Sequence, residues 1–329
     1  MKILRALPFL ISLMAASSLF FIMLPVKADD VETVTTKPTS VVADPAIADK
    51  VKDNDSEPVT SDNGTVTQNE LENAEAYFNR GNAHYEAHEY TEAINDFTKC
   101  LELDEKNAVS YYYNRGNAYL QSQQQDKAIA DFDKVIELNP KMYQAYINRA
   151  LLYTDMHSYT DAIADYKKAI SLKPDHQKIY ALLAWVYYKN EQYTQAIKSY
   201  KKAIKMSPED GGLYFNLGLV YMHAGKLENA MDSYDKALDF NPNNFWVNYN
   251  RGLIYLMTKK FEYAISELDK VAIGQSDYGN TYYYRGLAYD KLGVDDKAKE
   301  DFDSAVKFKS AYINVPYQDI KNLKEINID

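Results

Sequence analysis

The sequence predicts an all-α chain of stacked helical hairpins, and three observations carry that prediction. A small residue recurs as Gly81, Gly116, Ala150, Ala184, Gly218, Gly252 and Gly286, with a first step of 35 residues and later steps of 34. A second small residue keeps the same register as Ala93, Ala128, Ala162, Ala196, Ala230, Ala264 and Ala298. Four residues after each stands Phe97, Phe132, Tyr166, Tyr200, Tyr234, Leu268 or Phe302, a ring in every interval but the sixth. Each interval therefore holds two apolar stripes of helical period. Two such short helices cannot bury their apolar faces alone, whereas stacked copies share a continuous core.

The interval from Gly211 to Pro242 shows the local logic. A first helix is expected from about Leu213 to His223, because Tyr214, Leu217, Gly218 and Tyr221 fall on one face. Ala224-Gly225 ends it, since glycine accepts the left-handed conformation that a helix C-terminus often requires. A second helix is expected from about Leu227 to Phe240, with Leu227, Ala230, Met231, Tyr234, Ala237 and Leu238 as its buried stripe. Asn241-Pro242 stops it, because the residue before a proline is pushed out of the helical region.

The order Tyr, Leu or Arg, Gly or Ala, Tyr, Ala, aromatic, Ala and Pro in this interval resembles the tetratricopeptide repeat, whose period is about 34 residues. The resemblance covers seven repeats, 74–108, 109–142, 143–176, 177–210, 211–244, 245–278 and 279–312. It implies a right-handed α-solenoid whose stability is a sum of neighbour-to-neighbour interfaces. The closing proline is present as Pro140, Pro174, Pro208 and Pro242, but Glu105, Ser276 and Ser310 stand in its place elsewhere.

Before the repeats, residues 1–28 carry Lys2 and Arg5, an apolar run from about Ala6 to Val26, and small residues three and one before a cut after Ala28. This reads as a secretory signal peptide of bacterial type, with a retained inner-membrane anchor over residues 6–26 as the rival because the run is long. Either way the repeats are expected outside the cytoplasm, periplasmic or secreted. Residues 29–73 read as a disordered acidic linker: up to residue 70 they contain no aromatic and no leucine, so little apolar surface offsets the ordering entropy. After the repeats, residues 313–329 open with Pro316 and line Ile320, Leu323 and Ile326 on one face, as a capping helix would.

Charge narrows the function. Lys and Arg number 37 against 47 Asp and Glu, a net charge of −10, and an acidic chain without a basic stripe is a poor nucleic-acid binder. The 30 tyrosines suit helix seams, where the ring packs and the hydroxyl reaches water. The single cysteine, Cys100, stands where other repeats place Ala or Val and reads as a small buried hydrophobe.

In the tetratricopeptide family, positions 2, 5, 6, 9, 12 and 13 of each repeat tend to face the concave groove. Position 6 is Asn79, Asn114, Asn148, Asn216 and Asn250, interrupted by Leu182 and ending at Tyr284. Asparagine is disfavoured inside helices, so its recurrence asks for a reason. A carboxamide offers a donor and an acceptor together, matching the backbone of an extended peptide, and resembles the asparagine ladder of the repeat domain of O-linked N-acetylglucosamine transferase. Alternatively the asparagines bond neighbouring helices. Position 9 contributes Leu151, Trp185, Leu219 and Leu253, and Trp246 takes position 2 of the sixth repeat. Exposed apolar surface with tryptophans marks a binding site. The clamp that holds the carboxylate tails of cytosolic heat-shock chaperones needs cations where Phe78, Gln144 and Asn148 stand here, so that ligand is not expected.

No catalytic, cofactor or metal site is expected. His84 and His88 are four residues apart, but His84 takes a packed tyrosine position and no glutamate follows it as in HExxH. The expected function is therefore a non-catalytic scaffold holding a polypeptide in the groove. A membrane-tethered adaptor for cell-envelope assembly is the alternative, and self-association of the groove is a third course.

Overall fold

A computed structural model of the chain describes residues 68–308 and residue 310. The expectations for the signal segment 1–28, for linker residues 29–67 and for the capping helix 313–329 lie outside the described residues. Fourteen helices are present and no strand occurs among the described residues. They form consecutive pairs: α1 (Gln68–Glu86) with α2 (Tyr90–Leu103), α3 (Ala108–Gln121) with α4 (Gln125–Leu138), and α5 (Tyr143–Asp155) with α6 (Tyr159–Leu172). The series continues with α7 (Gln177–Lys189) and α8 (Tyr193–Met206), α9 (Gly211–His223) and α10 (Leu227–Phe240), α11 (Phe245–Met257) and α12 (Phe261–Gly274), α13 (Gly279–Lys291) and α14 (Asp295–Lys307). The all-α stack of helix-turn-helix repeats is thus the observed fold.

α10 begins and ends where its stripe predicts. α9 starts two residues earlier than its apolar pattern, at Gly211, because Asp210 accepts hydrogen bonds from Gly212 N and Leu213 N and caps the first turn. α1 likewise begins at Gln68, so the last residues assigned to the linker are helical. Gln, Glu, Leu and Ala in that stretch are strong helix formers, and no Gly or Pro interrupts them.

Every first helix ends in the same way. The residue after the helix C-cap takes a positive φ: His88, Gln123, His157, Glu191, Gly225, Lys259 and Gly293, between 56° and 73°. The next amide then donates back to the carbonyl five residues earlier, as in Gln192 N to Tyr187 O at 2.8 Å and Lys226 N to Tyr221 O at 2.9 Å. This arrangement satisfies helix-end carbonyls that would otherwise be orphaned. Five of the seven positions are not glycine, so the turn is imposed by packing on residues that disfavour it.

Inside each pair, the ring at the expected position packs behind the small residue of the first helix. A Cβ on Gly218 would stand 2.6 Å from the Tyr234 ring, and one on Gly81 would stand 2.8 Å from the Phe97 ring. The rings Phe97, Phe132, Tyr200, Tyr234 and Phe302 are fully buried, and Leu268 takes the same place in the sixth pair. Cys100 is buried beside Ala74 O, and burial pushes its thiol up to about 12, as a packed rather than reactive cysteine requires.

The chain forms two compact units, of which the described residues make 68–152 and 153–308. In the first, Tyr113, Ala128, Phe132, Val135, Ala145 and Leu152 form one apolar cluster and Ala93, Ile94, Phe97 and Ala118 another. In the second, Tyr249, Leu253, Leu268, Val271 and Tyr284 form one cluster and Ala298, Phe302 and Ala305 another.

Candidate functional site

The two units treat their groove-position residues differently. In residues 68–152, Asn79 is exposed on α1, whereas Asn114 Nδ2 on α3 donates to Ser110 O one turn back at 3.0 Å. Asn148 is buried, and its Nδ2 donates to Asn117 Oδ1 at 2.7 Å and to the Tyr113 hydroxyl at 3.3 Å. That asparagine stitches α5 to α3, the structural role weighed against ligand binding. Leu151 is half-buried on the same helix.

In residues 153–308 the first helices α7, α9, α11 and α13 bring the predicted residues into two aromatic groups. The first centres on Tyr188. Its ring lies 5.2 Å from that of half-buried Trp185 and 5.1 Å, edge-on, from His223 of α9. The Tyr188 hydroxyl and His223 Nε2 are 3.2 Å apart, and Tyr193 closes the group beside both rings. Lys189 Nζ stands 5.8 Å over the Trp185 ring. Burial lowers the His223 imidazole to about 4, so the ring is neutral at pH 7, and burial also lowers Lys189 from the usual lysine range.

The second group centres on Trp246. Asn244 caps α11 by accepting from Trp246 N and Val247 N, which fixes where the indole leaves the helix. The Trp246 ring lies 4.6 Å from Phe245, 6.0 Å from Tyr249 and 5.4 Å from Tyr278. Tyr249 reaches Tyr284 of α13 at 6.1 Å. Edge-on and tilted rings at these distances are mutually attractive, so the group is a preformed aromatic surface.

Among the first helices of the repeats, α9 comes between α7 and α11, and it carries Asn216. That residue is half-buried, and its carboxamide makes no hydrogen bond among the described residues. Asn250 is buried and donates to Trp246 O at 2.9 Å. Leu219 and Leu253 are also buried, at 5% and 3% exposure, and form floor rather than surface. The predicted residues thus separate into half-buried Trp185, Asn216 and Trp246, and a packed set beneath them.

Sequence reasoning did not single out Tyr188, Tyr193 or Tyr278. Tyr188 stands at position 12 of its repeat and was within reach of the pattern; Tyr193 and Tyr278 lie outside the groove positions and are placed only by the fold. His84 and His88 do not converge. His84 Nδ1 meets Glu89 Oε2 at 2.5 Å, while His88 Nδ1 meets the Tyr90 hydroxyl at 2.9 Å. Among the described residues no group of three His, Cys, Asp or Glu side chains is placed to hold a metal ion, and no helix is long and apolar enough to cross a membrane.

Sequence models of the tetratricopeptide repeat match residues 74–107, 109–142 and 143–176, and further such models match 181–245 and 233–266. Together they span more than half of the 329 residues. The chain belongs to the tetratricopeptide repeat family. A solved tetratricopeptide repeat protein from Parabacteroides merdae superposes with a TM-score of 0.59 at 16% identity, over 77% of this chain and 97% of its own. The structure of pilF from Pseudomonas aeruginosa gives 0.54 at 20% identity, over 66% and 98%. MamA from Desulfovibrio magneticus RS-1, residue 41 to its end, gives 0.50 at 20% identity, over 55% and 99%. These likenesses are of fold. No curated protein sequence matches this chain. Tetratricopeptide repeat proteins are generally non-catalytic scaffolds, and the fold is one typical of protein–protein interaction.

Proposed function

We propose that this chain is a non-catalytic scaffold that holds an extended segment of a partner polypeptide in the concave groove of its repeats, outside the cytoplasm. The observation that carries the reading is Asn216, a half-buried carboxamide without a hydrogen bond among the described residues. It stands on the helix between those bearing the Trp185 and Trp246 groups. A peptide backbone crossing α9 supplies the acceptor and donor that Asn216 lacks, and apolar side chains of the same segment meet the rings on either side. The neutral, half-buried His223, bonded to Tyr188, positions an aromatic wall in this reading.

The test is affinity capture from an extract of the source cells with residues 29–329, wild type beside Trp185→Ala/Asn216→Ala. Loss of a captured protein in the double variant, with helix content unchanged by circular dichroism, supports the reading. Equal capture by both proteins sinks it. A second reading, a membrane-tethered adaptor for cell-envelope assembly, rests on the length of the apolar run from Ala6 to Val26. N-terminal sequencing of the mature protein separates the two: a new terminus at Asp29 excludes the tether. Self-association through the groove predicts oligomers in sedimentation of residues 29–329.

A further inference from the structure

A different face of the same unit carries a concentrated positive charge. Position 26 of the repeat is lysine in six of seven copies: Lys99, Lys134, Lys168, Lys202, Lys236 and Lys270. In four of them a carboxylate of the same helix neutralises it: Glu102 at 2.6 Å, Glu137 at 2.8 Å, Asp239 at 2.9 Å and Glu267 at 3.1 Å. In α6 and α8 the acid three residues onward is replaced by Ser171 and Lys205, and the residue before is a further lysine, Lys167 and Lys201. Ser171 turns its hydroxyl to Lys168 O, its own backbone.

Lys167, Lys168, Lys198, Lys201, Lys202 and Lys205 are all exposed, and none forms an ion pair among the described residues. Residues 159–206 hold nine lysines against four acids, in a chain whose net charge is −10. The lysines are also organised around α7. Lys167 of α6 stands 5.9 Å from the Tyr187 ring and Lys202 of α8 stands 5.9 Å from the Tyr180 ring. Those tyrosines are seven residues apart on one face of α7, so cations from the two second helices flank a single aromatic stripe. Lys201 stands 5.8 Å from the Tyr221 ring of α9. Each of these ammonium groups lies near a ring, a cation–π contact that leaves it charged, and all three lysines remain exposed.

We propose that the outer face of α6 and α8 is a second docking surface, distinct from the groove, for an acidic polypeptide segment rich in Asp and Glu. Charge complementarity carries the choice of partner. A lipid surface fits less well. The large exposed apolar side chains of the described residues, such as Leu138, Phe240 and Ile273, all lie off these two helices, so nothing there inserts beside the charge. Nucleic acid fits less well because no arginine, the residue suited to bidentate phosphate contact, occurs between Arg149 and Arg251.

The test uses the full chain and a fluorescein-labelled decaglutamate peptide, followed by anisotropy in low salt. Wild type is expected to bind, and Lys167→Glu/Lys168→Glu/Lys201→Glu/Lys202→Glu to bind at least about tenfold more weakly, with both signals lost near 0.5 M salt as screening demands. Lys134→Glu/Lys236→Glu, which alters lysines already neutralised, should stay within about twofold of wild type. Thermal melts show that each variant is folded. Failure of wild type to bind, or equal loss in both variants, overturns the proposal. So does lysine-dependent binding to phosphatidylserine vesicles or lysine-dependent dimerisation in the absence of peptide binding. Because the decaglutamate readout does not involve Trp185 or Asn216, its outcome is independent of the groove.

Discussion

Repeats four and five are held together differently from repeats six and seven. In the seventh repeat Arg285 forks onto Asp301 of its own pair at 2.6 and 2.8 Å and reaches Asp269 of the preceding pair at 2.7 Å. In the sixth, Arg251 bridges Asp235 at 2.5 Å and Glu267 at 3.2 Å. The equivalent residues in repeats four and five are Leu183 with Ser199, and Leu217 with Ser233, while Lys167 and Lys201 replace the acids of the preceding pair. Where the guanidinium is absent, both of its acids are absent too. One seam therefore carries buried charge that must stay paired, and the other is apolar with a hydroxyl; Ser233 Oγ simply returns to Asn229 O. The neutral seam is also where the Trp185–Tyr188–His223 group and the lysines of α8 lie, so partner contacts there do not compete with the ion pairs that hold the stack, whereas the Trp246 group belongs to the sixth repeat, which carries Arg251.

The sharpest way to break this comparison is to remove one acid. Asp301→Ala leaves Arg285, a largely buried cation, with only Asp269, and should destabilise the unit by about 3 kcal/mol in urea denaturation. Ser233→Ala should cost under about 0.5 kcal/mol, since it deletes a local hydroxyl bond to the helix backbone. Similar losses for both would mean the seams are not different in kind.

Acid should act first on the apolar side. His223 has its folded value lowered to about 4 from 6.5. An unfolded chain therefore takes up a proton that the folded chain refuses, and the stability present above 6.5 is lost as pH falls toward about 4. The loss should be about 2 kcal/mol, given about 1.4 kcal/mol per unit and partial exposure of the ring. His223→Phe should flatten that dependence, read as urea midpoint against pH. Protection of the α9 amides should fall over the same range.

A smaller effect separates two kinds of ion pair. Glu267 is one methylene longer than Asp301, and the fork is not made: Arg251 Nε and Glu267 Oε2 are buried without a hydrogen-bond partner. Arg251→Leu/Glu267→Ser should be neutral or stabilising by about 1 kcal/mol, whereas Arg285→Leu/Asp301→Ser should lose about 1 kcal/mol. The smallest change lies in the turns. Glu191 and Lys259 hold φ of 56° and 58°, and replacing either with glycine should raise stability by about 0.5–1 kcal/mol, visible as a higher melting temperature. A fall in melting temperature would show that the side chain contributes more than the strain it imposes.

Much of this was legible in the sequence. The 34-residue register identified the helix pairs and the rings behind Gly81, Gly116, Gly218 and Gly286, because a fixed spacing on a fixed helix geometry leaves few ways to pack. The positive-φ turn was visible at Gly225, where glycine announces it. The same register marks His88, Gln123, His157, Glu191 and Lys259, but residue type there argues the other way. The arginine and acid positions, sixteen residues apart, also lie in the sequence as a pattern that alternates with Leu and Ser.

By itself, the sequence determined the family, the helix pairing and the identity of the core, since these depend on periodicity and apolar volume, which are properties of order along the chain. Only the tertiary structure decided which carboxamides are spent and which are open. Asn148 and Asn216 hold the same repeat position, yet Tyr113 and Asn117 stand within reach of the first, and no described residue bonds the second. The same is true of Tyr188 with His223, which belong to different repeats and meet across helices at 3.2 Å. Hydrogen-bond satisfaction depends on distances between residues far apart in sequence, and a repeat pattern specifies positions without specifying those neighbours.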